Sequence, residues 1–490
     1  MFNFISVMAK YFTVVIIVFY TFLAFDVFIV RKRKITKEES KDLSKKQLKE
    51  LKNKYHKEYR LKKKSMFIAQ YCLIMIMHTL NFFVLYSYDY NYKILLLGVA
   101  ELIFMIVATK VYRKVYDGIS RLLFNNMLFL LDIGFIMLCR LSFDGALKQF
   151  IIIVIGTASC LVIPGIIGKI GYLDKYDWKY GLVGIGMLLY VLFFGTTNYG
   201  ATNWLKIGII TFQPSEFVKV LFVFCMASLL SKYKDDKKKV LIITAFATFY
   251  VIVLALEKDL GGALLFFVTY VIMLYIATKK KRYLGAGALA GILAALGAYN
   301  IPNYRHVRVR VNAWLNPWDV IETDGYQVAQ SLFAIGTGGW FGMGLMRGMP
   351  KSIPVHVSDF IFSAICEEMG CIVGIMIILV YISCYIMFIN IAMLFGNLFY
   401  KLIAMGLSTI FIFQVFLTIG GAVKFIPSTG VTLPLISYGG SSVFSTLIIF
   451  SVIQGMYVRR EYIQKLKKEA KSSGESVWAK KIEEKKMKNM

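Results

Sequence analysis

Four short segments of this 490-residue chain set ionisable side chains beside glycine and proline at the edges of apolar runs. The first is Gln213-Pro214-Ser215-Glu216-Phe217-Val218-Lys219, which opens one such run. Proline suits a first helical turn, the helix dipole favours a carboxylate there, and Glu216 and Lys219 share a helix face. They read as a local ion pair or, since charge near a bilayer is costly, as the lining of a wet cavity. The second is the tight turn Glu257-Lys258-Asp259-Leu260-Gly261-Gly262. Its carboxylates read as a solvated turn, or as a pair able to hold a cation or orient a basic neighbour. The third is the long polar connection 300–360, with Arg305, Arg308, Arg310, Gln327, Gln330 and a glycine-rich stretch from Gly336 to Gly348. It ends in His356-Val357-Ser358-Asp359-Phe360-Ile361-Phe362, then Glu367 and Glu368. Ser358 or Asp359 is a candidate N-cap; alternatively, Asp359 is a carboxylate at the wet edge of a cavity, placed to accept a proton from a hydroxyl. The fourth runs from Lys424-Phe425-Ile426-Pro427-Ser428-Thr429-Gly430 through Leu433-Pro434 to Ser437-Tyr438-Gly439-Gly440-Ser441-Ser442. Glycines and hydroxyls before a helix offer backbone donors to an anion, or else make a re-entrant packing corner.

These segments are positioned by what lies between them. Hydrophobic residues make up 58% of the chain and charged ones 18%, with a mean hydropathy of +0.63, more apolar surface than a soluble fold needs. Runs long enough to cross a bilayer repeat almost end to end. They predict an all-α polytopic membrane protein with thirteen helices, near 8–30, 66–88, 93–112, 122–141, 150–168, 180–197, 214–233, 240–256, 260–277, 283–299, 361–390, 400–421 and 439–458. The first run lacks a small-x-small cleavage site and has a basic sequel, so it reads as a retained span.

The net charge of +28 sits between and after these runs. Residues 31–64 hold 16 Lys/Arg against 5 acids and residues 459–490 hold 11 against 5, together +17. Such segments are kept inside by the positive-inside bias and drawn to anionic lipid headgroups. With no interleaved aromatics or recognisable binding fold, they argue against nucleic acid as a partner. With thirteen spans, the basic loops 31–64, 113–121, 169–179, 232–239 and 279–282 and the tail all fall on one side, read as cytoplasmic, with the N-terminus outside. All four segments then face outward, where seven of the eight prolines also lie: Pro214, Pro302, Pro317, Pro350, Pro354, Pro427 and Pro434. Irregular backbone at membrane depth survives only when buried in protein or lining a cavity. The seven cysteines sit in or beside apolar runs and read as small buried hydrophobes, without disulfide or metal spacing.

Taken together, Gln213-Pro214-Ser215-Glu216 with Lys219, Glu257 with Asp259-Leu260-Gly261, Tyr326-Gln327 with Gln330-Ser331, Ser358-Asp359-Phe360-Ile361-Phe362, and Ile436-Ser437-Tyr438-Gly439-Gly440-Ser441-Ser442 resemble the motifs of the SEDS family. These shape, elongation, division and sporulation proteins are the RodA/FtsW/SpoVE-like peptidoglycan glycosyltransferases. The resemblance covers about 118–458 and implies a ten-helix core, preceded by a transmembrane helix (1–30), a basic cytoplasmic linker (31–65) and two accessory helices (66–117), and followed by a basic tail (459–490). It implies an enzyme that polymerises lipid II, the undecaprenyl-diphosphate-linked disaccharide-pentapeptide, at the outer membrane face, beside a class B penicillin-binding protein that crosslinks the product. It further implies Asp359 as catalytic carboxylate and Glu216 and Lys219 as cavity residues. Expected substrate contacts extend to Arg308, Arg310, Gln327, Gln330, Ser437, Gly439, Gly440 and Ser441, with Glu257, Asp259 and Ser358 in support. No cofactor is required by the pattern, although carboxylates could hold Mg²⁺ or Mn²⁺.

The chain departs from the family pattern at three places. Asn203 precedes Trp204 where an Arg is common, Val357 stands where a His is common with His356 displaced by one, and Lys258 replaces a common Pro. A flippase for the lipid-linked precursor suits many spans with intramembrane charge, but the motifs collect on one face and no inverted repeat stands out. A noncatalytic scaffold for a transpeptidase is the third reading, and the retained acid at 359 argues against it. The sequence does not separate elongation, division and sporulation roles.

Overall fold

A computed structural model describes residues 2–30, 44–198, 201–207, 210–301 and 304–473. The linker from 31 to 43, Pro302 and the tail beyond 473 lie outside the described residues. In hydrocarbon every backbone N–H and C=O must be satisfied within the chain, which favours helices. In chain order these are α1 (Phe2–Ile29), α2 (Lys45–Asp89), α3 (Tyr92–Val115), α4 (Arg121–Leu141), α5 (Phe143–Cys160), its short continuation α6 (Ile163–Lys169), α7 (Asp177–Phe194), α8 (Pro214–Tyr233), α9 (Lys237–Leu256), α10 (Leu260–Thr278), α11 (Arg282–Asn300), α12 (Arg305–Leu315), α13 (Tyr326–Gly338), α14 (Ile361–Met369), α15 (Cys371–Met393), α16 (Leu398–Ala422) and α17 (Gly440–Ser473). Thirteen helices among the described residues are long and apolar enough to cross a membrane, the number the apolar runs predict. The chain is a multi-pass membrane protein.

Three features differ from the expected pattern. The span at 361–390 is broken: Gly370, at φ +97°, separates α14 from α15, and a Cβ there would lie 2.4 Å from the Trp340 carbonyl oxygen. The 300–360 connection carries helices α12 and α13 instead of running as a plain loop. A small antiparallel sheet, β1 (Thr196–Asn198), β2 (Ala201–Ile207) and β3 (Ile210–Phe212) in the order β1-β2-β3, sits before α8, so the all-α reading holds for the architecture but not for this segment. Its Thr, Ile, Trp and Phe residues favour the pleated surface.

Helix α4 is the axis of the bundle, with every residue but Arg121 and Arg140 buried. Helices α2 and α5 flank it, and α1 packs on α2 and α15. The two ends of the bundle differ. At one, Arg459 donates to the Ile167 and Ile170 carbonyls and stacks on Tyr400, while Lys232 pairs with Asp177 at 2.8 Å. At the other, Ser6 and Lys10 of α1 donate to the carbonyls of Leu345 and Gly342, beside the long 300–360 connection.

Candidate active site

The backbone around Asp359 is held from several sides. Val355 takes φ +56°, which is unusual for a β-branched residue, and its carbonyl accepts from the Ser358 and Phe360 amides, wrapping the chain tightly into α14. The N-cap of α14 is Phe360, without a side-chain cap. Neither Ser358 nor Asp359 therefore serves as the cap; the Ser358 hydroxyl instead donates to Asp359 Oδ1 at 3.1 Å. Ser437 Oγ donates to the Ser358 carbonyl at 2.6 Å, and the Tyr438 amide donates to the Val357 carbonyl at 2.8 Å.

Facing Asp359 is Arg310 of α12. A Cβ added at Gly430, at φ +75°, would lie 3.4 Å from Arg310 Nη2 and 3.8 Å from Asp359 Oδ2, so both side chains border this one glycine. Arg310 Nη1 donates to the Ser428 carbonyl at 3.2 Å, and Trp314 one turn on donates to the Lys424 carbonyl at 3.1 Å, seating α12 on the 424–430 loop. Burial raises the Asp359 pKa, while the Ser358 hydrogen bond and the Arg310 charge oppose the rise.

Asp259 caps α10 through the Gly262 amide at 2.9 Å and accepts from Asn203 (3.2 Å) and Gln213 (3.1 Å). Burial pushes its pKa up against those hydrogen bonds. Glu257 is fully buried with neither carboxylate oxygen hydrogen-bonded, and burial, then the neighbouring Asp259, push its pKa up to about 8. Lys258 between them sits at φ +60°, a conformation a proline ring forbids, so the departure at this position changes the backbone itself. Asn203, another departure, is one of the residues that reach Asp259.

Deeper in the bundle, Lys219 Nζ lies 2.6 Å from Glu216 Oε2 and donates to Gln414 Oε1 at 3.0 Å, and Ser445 donates to Glu216 at 2.8 Å. Gln414 in turn donates to the Thr432 carbonyl (3.0 Å) and Ser442 Oγ (3.2 Å). The local ion pair of the sequence reading is present, with Lys219 buried and Glu216 partly so.

Not every expected site residue joins this group. Arg308 is two residues from Arg310 and so points about 200° away around α12; its buried Nε has no partner among the described residues. Gln327 and Gln330 lie on α13 and make no side-chain hydrogen bond among the described residues. The 437–441 corner is used internally. Ser437 Oγ accepts from the Leu433 amide, the Gly439 amide donates to Gln149 Oε1 at 2.9 Å, Ser441 Oγ accepts from the Gln213 amide, and a Cβ at Gly440 would strike Ile152. These contacts match the packing-corner reading. For a metal, no three His, Cys, Asp or Glu side chains converge among the described residues, and Asp259 is already filled by amide donors, so the donor set does not fit a protein-built cage.

Gln414, Gln149, Ser445 and Arg140 escaped the sequence reading. Arg140 of α4 pairs with Glu368 at 3.0 Å and donates to the Gly348 carbonyl. A lone polar residue inside an apolar run was the available signal.

Comparison with known proteins adds to this geometry. The family model described as "Cell cycle protein", of FtsW, RodA and SpoVE, matches residues 120–462. The peptidoglycan glycosyltransferase RodA of Mycobacterium tuberculosis (strain ATCC 25618 / H37Rv) is 32% identical over 324 residues, 62% of this chain and 69% of that protein. Stage V sporulation protein E of Bacillus subtilis (strain 168) is 31% identical over 327 residues, 64% of this chain and 86% of its own length. A chain of a peptidoglycan synthase complex, solved for the coordination of polymerization and crosslinking, superposes with a TM-score of 0.59 at 23% identity, over 70% of this chain and 98% of its own, a likeness of fold. Helices α1–α3 precede the matched residues.

Proposed function

This chain belongs to the cell cycle protein family of FtsW, RodA and SpoVE, and from that premise we propose that it is a peptidoglycan glycosyltransferase that joins lipid II units at the outer membrane face. The observation that carries the reading is that Asp359 and Arg310 border the same glycine, Gly430, which sets a base and a cation side by side.

In the proposed step a GlcNAc 4-hydroxyl attacks the anomeric carbon of a diphosphate-linked MurNAc. The new C–O bond forms as the bond to the diphosphate breaks, inverting that carbon, and Asp359 takes the hydroxyl proton. Raised proton affinity makes Asp359 the better base. Arg310 spends one donor on Ser428 and keeps others for the departing diphosphate. Lys219, satisfied by Glu216 and Gln414, acts by fixing the floor of the cavity. Mg²⁺ or Mn²⁺ would enter with the diphosphate, since one or two carboxylates plus substrate phosphates satisfy such an ion.

A class B penicillin-binding protein is the proposed partner, and Trp340 and Met349, 66% and 78% exposed on the outer connection, support a docking surface there. The test is polymerisation of purified lipid II by the full-length chain, with and without such a transpeptidase. Polymer from the native chain and at least about a hundredfold less from a folded Asp359→Asn variant is the expected result. Translocation of labelled lipid II in liposomes without polymer would replace this reading with a flippase.

A further inference from the structure

Helix α2 spans 45 residues, about 68 Å at 1.5 Å per residue, so its first half projects past any bilayer. Where the basic half meets the apolar half, α2 and the start of α4 enclose a cleft of about 490 Å³. Lys57, Arg60, Lys63, Lys64 and Arg121 line it, with Phe67 on the membrane side, and no carboxylate lines it among the described residues. The walls are pinned at this level, because Asn125 of α4 donates to the Phe67 carbonyl at 3.0 Å and to Gln70 at 3.3 Å. Toward the membrane from the cleft, on the neighbouring face of α2 roughly 100° around from Phe67, Ile68, Ile76 and Phe83 leave an apolar stripe exposed.

We propose that this cleft binds the phosphate-bearing headgroup of an anionic phospholipid, whose acyl chains lie along that stripe. Five positive charges around one opening call for a ligand with more than one negative charge, and phosphate esters accept from several Lys and Arg donors at once. The position at the junction of basic and apolar helix favours a lipid over a free phosphate, because only a lipid fills both parts. All of its lining residues but Arg121 precede the family match, and the cleft is separate from the glycosyl-transfer chemistry.

The test titrates the purified full-length chain in detergent with cardiolipin, phosphatidylcholine and inorganic pyrophosphate, and counts adducts by native mass spectrometry. One saturable cardiolipin adduct per chain is expected. The exposed-residue variant Lys57→Gln/Arg60→Gln/Lys64→Gln should weaken it about tenfold or more, and Arg121→Gln, on the opposite wall, should weaken it too. Lys52→Gln/Lys54→Gln/Lys62→Gln, with the same charge change outside the cleft, should leave it intact. An adduct unchanged in the cleft variants, or weakened equally by both triple variants, overturns the site. Pyrophosphate binding as tightly, with the same sensitivity to the cleft variants, overturns the lipid assignment.

Discussion

Asp359 serves the proposed reaction only as a carboxylate, so the burial that raises its pKa sets the acid limb of the pH–rate profile above the ordinary carboxylate range. Ser358 and Arg310 oppose that rise. Arg310→Gln is therefore expected to move the acid limb of kcat/KM to higher pH, and Arg310→Lys to move it less. Asp359→Asn should lower polymerisation by about 10²- to 10⁴-fold while leaving thermal unfolding unchanged. An acid limb that stays in place in Arg310→Gln sinks the electrostatic pairing. Glu257 affects stability instead. Its folded pKa of about 8 exceeds the ordinary 4.5, so as pH rises through that window the unfolded chain gives up a proton that the folded chain keeps. Stability is fully present below the lower value and falls until the upper one is passed. Glu257→Gln should flatten the decline of Tm between about pH 5 and 8; an unchanged slope would show that the group does not titrate there. The Glu216–Lys219 pair was legible in sequence because charge beside glycine and proline is rare in so apolar a chain, whereas the role proposed for Asp359 came from the family resemblance. Gln414 was not, because its partner Lys219 lies 195 residues away and one polar letter in a helix does not say which neighbour it meets.

At the level of elements, the glycine-rich stretch before Asp359 is a laced structure. Met343 and Gly344 amides donate to the Glu367 and Glu368 carbonyls, and the Met349 amide donates to the Glu367 carboxylate at 2.8 Å, binding the stretch to α14. Arg140 ties the same helix to α4 through Glu368. Gly342 sits at φ +78° with a hypothetical Cβ only 2.3 Å from the Glu368 carbonyl oxygen, whereas Gly336 has nothing within 4 Å. Gly342→Ala should thus cost roughly 1–3 kcal/mol in strain alone and lower both Tm and polymerisation. Gly336→Ala should be neutral or raise stability by up to about 1 kcal/mol. Equal effects of the two would mean that the lacing does not position α14. Run length made the spans legible, since hydrocarbon thickness leaves few alternatives. Helix α12 was hidden because Arg308-Val309-Arg310-Val311 alternates with the period of a strand, and its docking through Trp314 and Arg310 overrides that pattern. The break at Gly370 was hidden because the apolar run continues through it.

For the whole molecule, the parity of thirteen helices predicts that position 349 meets the exterior and position 237 the cytoplasm. Met349→Cys should react with an impermeant maleimide on intact cells and Lys237→Cys only after permeabilisation; the reverse would invert the proposed orientation. The three helices ahead of the family match are built into the core. His78 of α2 lies 2.6 Å from Asp132 of α4 and 2.8 Å from the Gly98 carbonyl of α3, and Tyr20 of α1 donates to Asn126 of α4 at 2.8 Å. Helix α4 carries Asn125, Asn126 and Asp132, all fully buried, which suits a helix enclosed on every side and not one facing lipid. Removing residues 1–118 would leave those groups toward hydrocarbon, where a charge alone costs about 2.5–3.5 kcal/mol or more, and would strip Ser6 and Lys10 from the stretch beside α14. The truncated chain is therefore expected to aggregate on size-exclusion chromatography in detergent, and coexpression of 1–118 as a separate piece should restore a monodisperse, active complex. His78→Leu, which leaves Asp132 buried and unpaired, should destabilise the intact chain by about 3–5 kcal/mol. A truncated core that is monodisperse and polymerises at the native rate would make the extension a mere appendage, and the buried polar seam along α4 would then need another reason to exist.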